Sequence, residues 1–244
     1  ANVLTFFPHP RMVLQKESQI KLIDTLKERE NFLRELGIDN LIIHPFSIAF
    51  STLTALEFTQ DILVNQLNIT SLFIGYDHRF GKNREATVED LKHYGEQFNF
   101  KVSVINAQEI ESIAVSSTKI RTAIQAGDFI KVERYLGRPF QLTGKVTKGE
   151  GIGRTLAFPT ANLTIDSLYK IIPPQGVYLV SLEINRVSHF GMMNIGTRPT
   201  LNGNHQSIEV HVFDFNHDLY GKIITISLLE KIRDEQKFDS LEAL

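Results

Sequence analysis

The sequence predicts two domains of different class, an α/β half followed by an all-β half that closes into a small antiparallel barrel. Three observations carry this. Up to Arg138, short apolar runs alternate with longer helical patterns, the signature of a mostly parallel sheet covered by helices. Beyond Gly137-Arg138-Pro139 the texture changes to period-two alternation with frequent turns, and 9 of the 15 glycines fall there. The 244 residues suffice for two ordinary cores, and no repeat or low-complexity linker interrupts them.

In order along the first half, strands are expected at Asn2 to Phe7, Asn40 to Ile43, Ser71 to Gly75 and Lys101 to Ile105. Between the first two, Ile20, Ile23, Leu26 and Leu33 near helical spacing predict a helix over Gln19 to Leu36, stopped by Gly37. Thr54 to Leu67 and Thr87 to Phe98 are the next two helices. Ser117-Thr118 is placed to cap a helix running to Ala126, Gly127 to end it, and Asp128 to cap another running to Leu136. In the second half, strands are expected at Gln141 to Val146, Val177 to Leu182, Ser188 to Met193, Ser207 to Phe213 and Ile223 to Leu229. Ser240 to Leu244 reads as the start of a terminal helix. The chain begins without Met and at once as a strand, so both ends are expected to be cut.

Composition excludes several classes. Lys+Arg 26 against Asp+Glu 28 gives a net charge of -2, with 16 basic and 17 acidic residues up to Arg138 and 10 and 11 after it. Neither half therefore carries the cationic excess on which nucleic-acid or acidic-membrane binding rests. The absence of cysteine rules out disulfides, thiolate metal sites and thiol catalysis, and suits a cytoplasmic protein. No stretch approaches the roughly 18 apolar residues of a membrane span. The eight histidines are scattered, with no HExxH or close pair for zinc or iron.

Lys148-Gly149-Glu150-Gly151-Ile152-Gly153-Arg154 alternates glycines that let backbone N–H groups approach phosphate oxygens, flanked by Lys and Arg. A flexible hairpin is the alternative, because neither a Walker loop nor a dinucleotide fingerprint is present. Pro159-Thr160-Ala161-Asn162 offers a hydroxyl and an amide, hard oxygen donors suited to Mg²⁺, in a quartet that also occurs as a plain turn. Glu209, between Ile208 and Val210 in an alternating strand, either faces solvent or points into a cavity where a hydroxyl substrate could lose its proton to it. Val115-Ser116-Ser117-Thr118-Lys119-Ile120-Arg121 sets three hydroxyls at a helix start, either an ordinary cap or a grip for polyphosphate. His9, in Phe7-Pro8-His9-Pro10, and Asp77, in Gly75-Tyr76-Asp77-His78-Arg79-Phe80-Gly81, follow strands at the carboxyl ends where open α/β sheets bind ligands.

Together these motifs resemble the bifunctional riboflavin kinase/FAD synthetase of bacteria. Thr5-Phe6-Phe7-Pro8-His9-Pro10, the Gly75 to Gly81 segment, Ser116 to Arg121 and Leu136-Gly137-Arg138-Pro139 carry the likeness in the first half. In the second half it rests on Gly153 to Leu163, Asn194-Ile195-Gly196-Thr197-Arg198-Pro199-Thr200 and Arg233-Asp234-Glu235-Gln236-Lys237-Phe238. The match runs in family order from end to end, and the ordered set is far more specific than any one motif.

The resemblance implies a Rossmann-like nucleotidyltransferase domain with a parallel sheet over 1–138, adenylylating FMN to FAD with release of pyrophosphate. It also implies a riboflavin kinase β-barrel with a terminal helix over 139–244, making FMN from riboflavin and ATP. Thr160 and Asn162 stand where the family coordinates Mg²⁺ and ATP phosphates, and Glu209 where it keeps its catalytic base. Gly149, Gly151, Gly153 and Arg154 would cover the nucleotide, and Arg233 would line the flavin side. His9, Asp77, Ser116, Ser117, Thr118 and Arg121 match the ATP and FMN site of the adenylyltransferase, Arg121 steadying the leaving pyrophosphate. The implied partners are small molecules alone, with neither nucleic acid nor membrane.

Family members open with a strand leading to a Gly-x-Phe-Asp-Gly-x-His-x-Gly-His segment whose histidines bind ATP phosphates, and this sequence begins after that point. The first domain is therefore expected to be incomplete at its N-terminus, which keeps open a riboflavin kinase with an inactive first domain. A flavin or nucleotide binding regulator is the non-enzymatic alternative, although mere binding has no use for a base at Glu209. Ala157 stands where the family commonly has Gly.

Overall fold

In the computed structural model, which describes residues 1–15, 19–107, 109–110, 113–148, 158–200 and 203–236, the apolar runs of the first half become short parallel strands. β1 (Asn2–Phe7) leads through a cis Phe7–Pro8 bond into the short helix α1 (Pro10–Leu14), with proline at its start. After α2 (Leu26–Glu35), β2 (Asn40–Pro45) pairs parallel to β1 from Asn2↔Asn40 to Phe7↔Pro45. α3 (Ala55–Glu57) continues as a π-helical stretch, Phe58–Gln66. Thr54 starts it with a reciprocal capping box, its hydroxyl accepting from the Glu57 N–H while Glu57 Oε2 accepts from the Thr54 N–H. β3 (Ser71–Gly75), α4 (Val88–Phe98) and β4 (Lys101–Ile105) form a second parallel pair with its crossover helix, followed by the two-residue strands β5 (Glu109–Ile110) and β6 (Ile113–Ala114).

α5 (Ser117–Ala126) and α6 (Phe129–Leu136) end at Gly127 and Gly137, both in the left-handed region that glycine adopts without strain. The N-cap of α5 is Ser116 rather than Ser117-Thr118, because Ser116 has extended backbone angles and its hydroxyl accepts from the Lys119 N–H. β7 (Phe140–Thr147), β8 (Ala161–Thr164), β9 (Gly176–Ile184), β10 (Val187–Thr200), β11 (Gly203–Val212) and β12 (Ile223–Arg233) close into an antiparallel barrel in the order β10-β11-β8-β7-β12-β9. Phe140, Leu142, Val146, Leu163, Tyr178, Val180, Met193, Ile195, Ile208, Val210, Ile226 and Leu228 fill it, alternating with outward residues as the pleat dictates. β8 is not among the strands expected from the sequence, being four residues long and close behind Pro159.

By its contacts the chain divides into two compact units, Ala1–Ile20 with Leu33–Ala114, and Lys21–Phe32 with Val115–Leu244. The expected helix over Gln19 to Leu36 begins only at Leu26. Upstream, Leu22 makes a β-bridge with Lys170, its N–H donating to the Tyr169 carbonyl while its own carbonyl accepts from the Ile171 N–H. Thr25 then caps α2, its hydroxyl accepting from the Glu28 N–H at 3.1 Å while Glu28 Oε2 accepts from the Thr25 N–H at 2.8 Å. The segment is fixed by charge as well. Arg138 Nη2 donates to both oxygens of Asp24 at 2.7 Å, and Lys170 Nζ donates to Glu28 Oε2 at 2.7 Å.

Tyr178 sits wholly inside the barrel wall with its hydroxyl donating to the Pro174 carbonyl. Burial, reinforced by the Asp234 charge, pushes its pKa up to about 12. An unfolded tyrosine ionises near 10, so between those values the unfolded chain gives up the proton first and stability falls as pH rises. Below pH 10 nothing is lost. Urea unfolding at pH 9 and at pH 11 is expected to show an alkaline loss in the native chain that is smaller in Tyr178→Phe.

Candidate functional site

The barrel's outer face carries the polar cluster. On β11 the side chains of Ile208, Val210 and Val212 join the core, so Glu209 and His211 between them point away from it. The ladder registers then line up one belt across the strands. Thr147 of β7 faces Asn162 of β8, Asn162 faces Glu209 of β11, and Glu209 faces Asn194 of β10. Asn194 faces Val177 of β9, which faces Arg233 of β12. Directly opposed residues share a sheet face, so Asn162, Glu209 and Asn194 form one polar row.

Thr160, just ahead of β8, completes the row by donating its hydroxyl to Glu209 Oε2 at 3.1 Å. Glu209 is half-buried, so the choice between open solvent and a cavity resolves into a place on the outer wall. An ionised carboxylate has about four acceptor positions, and Thr160 takes one of them. Hydroxyl, carboxamide and carboxylate are all hard oxygen donors and fit Mg²⁺, which keeps the rest of its shell for water or phosphate oxygens.

Sequence reasoning passed over two contributors. His211, two residues along from Glu209 on the same face, has its Nδ1 2.9 Å from the Pro159 carbonyl, and its ring meets Phe158 edge-on. It thereby anchors the turn that delivers Thr160. Asn194 sits opposite Glu209, a position set only by strand register. Arg233 donates from Nη1 to the Asp234 carbonyl at 3.0 Å, at the far end of the belt. Gly149, Gly151, Gly153 and Arg154, like the terminal helix expected at Ser240 to Leu244, lie outside the described residues.

In the first unit, His9 caps α1, its Nδ1 accepting from the Arg11 N–H at 3.2 Å. That bond places the proton of the neutral ring on Nε2. Asp77 lies exposed in the turn after β3, where the Tyr76 N–H donates to the Ile105 carbonyl and the His78 N–H to the Gly75 carbonyl. Gly81, at φ 74°, lets this loop lie against the helix start, since a Cβ there would stand 2.7 Å from the Ala55 nitrogen. Partial desolvation lowers the His78 pKa, aided by the Arg84 charge and opposed by Asp77. In the same unit, Phe6 gathers Phe46, Phe50 and Phe58 at ring separations of 5.8, 5.4 and 6.3 Å. In the second unit, Ser116, Ser117 and Thr118 open the ten-residue helix α5, and Arg121 Nε donates to the Lys21 carbonyl at 2.8 Å. Among the described residues no group of three or more His, Cys, Asp or Glu gathers as a metal site, and no helix is long and apolar enough to cross a membrane.

An α/β unit with polar turns at its strand ends, joined in one chain to a barrel bearing this oxygen-rich row, is the build of a nucleotide-dependent transferase. Residues 136–244 match the family model for riboflavin kinase and residues 1–119 that for FAD synthetase. The bifunctional riboflavin kinase/FMN adenylyltransferase of Pseudomonas fluorescens is 37% identical over 243 residues, covering 99% of this chain and 77% of that protein. Its counterparts from Escherichia coli K12 and Bacillus subtilis are 36% and 34% identical, again over 99% of this chain and 77% of theirs. A crystal structure described as a macrolide-efflux protein from Streptococcus pneumoniae superposes with a TM-score of 0.88 at 35% identity, over 99% of this chain and 78% of that one. The chain belongs to the bifunctional riboflavin kinase/FMN adenylyltransferase family.

Proposed function

We propose that this chain phosphorylates riboflavin to FMN with ATP through residues 139–244 and adenylylates FMN to FAD with a second ATP through residues 1–138. The observation that carries the kinase reading is the 3.1 Å bond from Thr160 to Glu209 within a row that includes Asn162. Glu209 accepts the proton of the riboflavin 5′-hydroxyl as that oxygen attacks the γ-phosphorus of ATP, and ADP leaves. The Thr160 hydroxyl holds the carboxylate in place for this transfer. Thr160 and Asn162 would hold Mg²⁺, which when bound offsets charge on the phosphate oxygens. Gly149 to Arg154 would cover the nucleotide, and Arg233 would border the flavin.

Adenylyl transfer makes different demands. The FMN phosphate is already an anion, so its attack on the α-phosphorus of ATP requires no general base, and positioning with charge neutralisation supplies the rate. His9 can donate from Nε2, Ser116 to Thr118 present N–H groups at a helix start, and Arg121 steadies the departing pyrophosphate. Asp77 would orient the nucleotide from the turn after β3.

The test is incubation of the 244-residue chain with riboflavin, ATP and Mg²⁺, followed by chromatographic separation of FMN from FAD. Both products are expected. FMN without FAD would restrict activity to the barrel, and neither product would overturn the enzymatic reading in favour of a binding module.

A further inference from the structure

One carboxylate near the row is not accounted for by the kinase reading. Glu235 follows β12, and its Oε1 occupies the space that a Cβ on Gly196 would fill. The Asn194 amide nitrogen is 3.3 Å from the same point. Gly196 lies on the outer face of β10, two residues from Asn194 and opposite Ser207, which is itself two residues from Glu209 on β11. Glu235 thus lies on the same outer face as Glu209, and the Asn194 carboxamide stands near the Gly196 point and opposite Glu209. Two residues along a strand advance about 6.5 Å, close to the reach of a short polyol chain from its first hydroxyl to its last.

We infer that Glu235, seated in the notch at Gly196, is a specificity-determining residue for the acceptor: it accepts hydrogen bonds from the substrate hydroxyls next to the one that Glu209 deprotonates. The inference rests on the riboflavin kinase reading and adds to it the recognition of a polyhydroxylated side chain. A carboxylate accepts strongly and donates nothing, so it suits a row of alcohols. Glycine at 196 is what opens the seat. The atom that a methyl group would meet is the far end of a flexible, exposed side chain, so alanine at 196 is expected to swing Glu235 aside without disturbing the barrel.

The test compares riboflavin with a flavin carrying a 5-hydroxypentyl chain, which keeps the reacting hydroxyl and lacks the others. In Glu235→Ala, kcat/KM for riboflavin is expected to fall about tenfold, the scale of one charge-assisted hydrogen bond, with kcat/KM for the hydroxypentyl flavin unchanged within about twofold. Gly196→Ala is expected to reproduce that pattern with a native melting temperature, and the double variant to be no worse than either single one. An equal loss on both flavins, or a loss on neither, would overturn the assignment and leave Glu235 a structural or surface residue. If the native chain phosphorylates neither flavin, the kinase reading itself fails, and this inference with it.

Discussion

Glu209→Gln is expected to reduce FMN formation about 10³-fold, within the range that a general base contributes, while the melting temperature stays close to native. The amide keeps the size of the carboxylate, and its carbonyl can still accept from the Thr160 hydroxyl at 3.1 Å. What it loses is the capacity to take a proton. Chromatographic rates of FMN formation from riboflavin at saturating ATP and Mg²⁺ check the effect, and conversion of supplied FMN to FAD serves as the internal control. A variant that turned over riboflavin at the native rate would remove Glu209 from the chemistry. Loss of both activities together with a lowered melting temperature would instead point to a damaged barrel.

That prediction was partly visible in the sequence. Alternation alone set Glu209 apart from Ile208 and Val210, because successive strand residues face opposite sides. Short apolar runs placed the four parallel strands, and alternation most barrel strands, within a few residues, and the glycines at 127 and 137 marked two helix ends. What alternation left open was which residues lie beside Glu209. Asn162 is 47 positions away and Asn194 is 15, and only barrel closure and strand register bring them to one row. β8 escaped notice for a related reason: four residues are too few to establish a period, and its pairing with β7 and β11 makes it a strand. The helix proposed over Gln19 to Leu36 ran too far upstream because apolar spacing continued past a cap. Thr25 and Glu28 spell the capping box, and that local signal prevailed over the periodicity.

The same Glu28 shows how much of the second unit's stability rests on a contact no local pattern announces. On an amphipathic helix a glutamate reads as a solvated face, yet this side chain is 4% exposed and its partner Lys170 is fully buried. Glu28 Oε2 accepts from the Thr25 N–H and from Lys170 Nζ, while Oε1 accepts from the Thr143 N–H at 2.9 Å. Lys170 also donates to the Ile23 carbonyl at 2.7 Å and lies 4.4 Å from the centre of the Phe140 ring. Glu28→Ala would leave a buried ammonium without its counter-charge and two backbone N–H groups without acceptors, and is expected to destabilise the unit by about 3–5 kcal/mol. For a chain of this size that corresponds to a fall of roughly 10 °C in melting temperature. Replacing both partners, as Glu28→Leu with Lys170→Met, removes the charges together and is expected to be less harmful than the single alanine. The pH dependence has a definite sign. Burial lowers the Lys170 pKa and Glu28 pulls it back up, so without Glu28 the folded lysine releases its proton more readily. The unfolded chain then holds more protons than the folded one, and stability rises with pH toward the ordinary lysine value of 10.5. Urea titrations of Glu28→Ala between pH 7 and pH 9.5 should therefore show its deficit shrinking, whereas a pH-independent deficit would mean that the loss comes from the unmade backbone hydrogen bonds and not from the stranded charge.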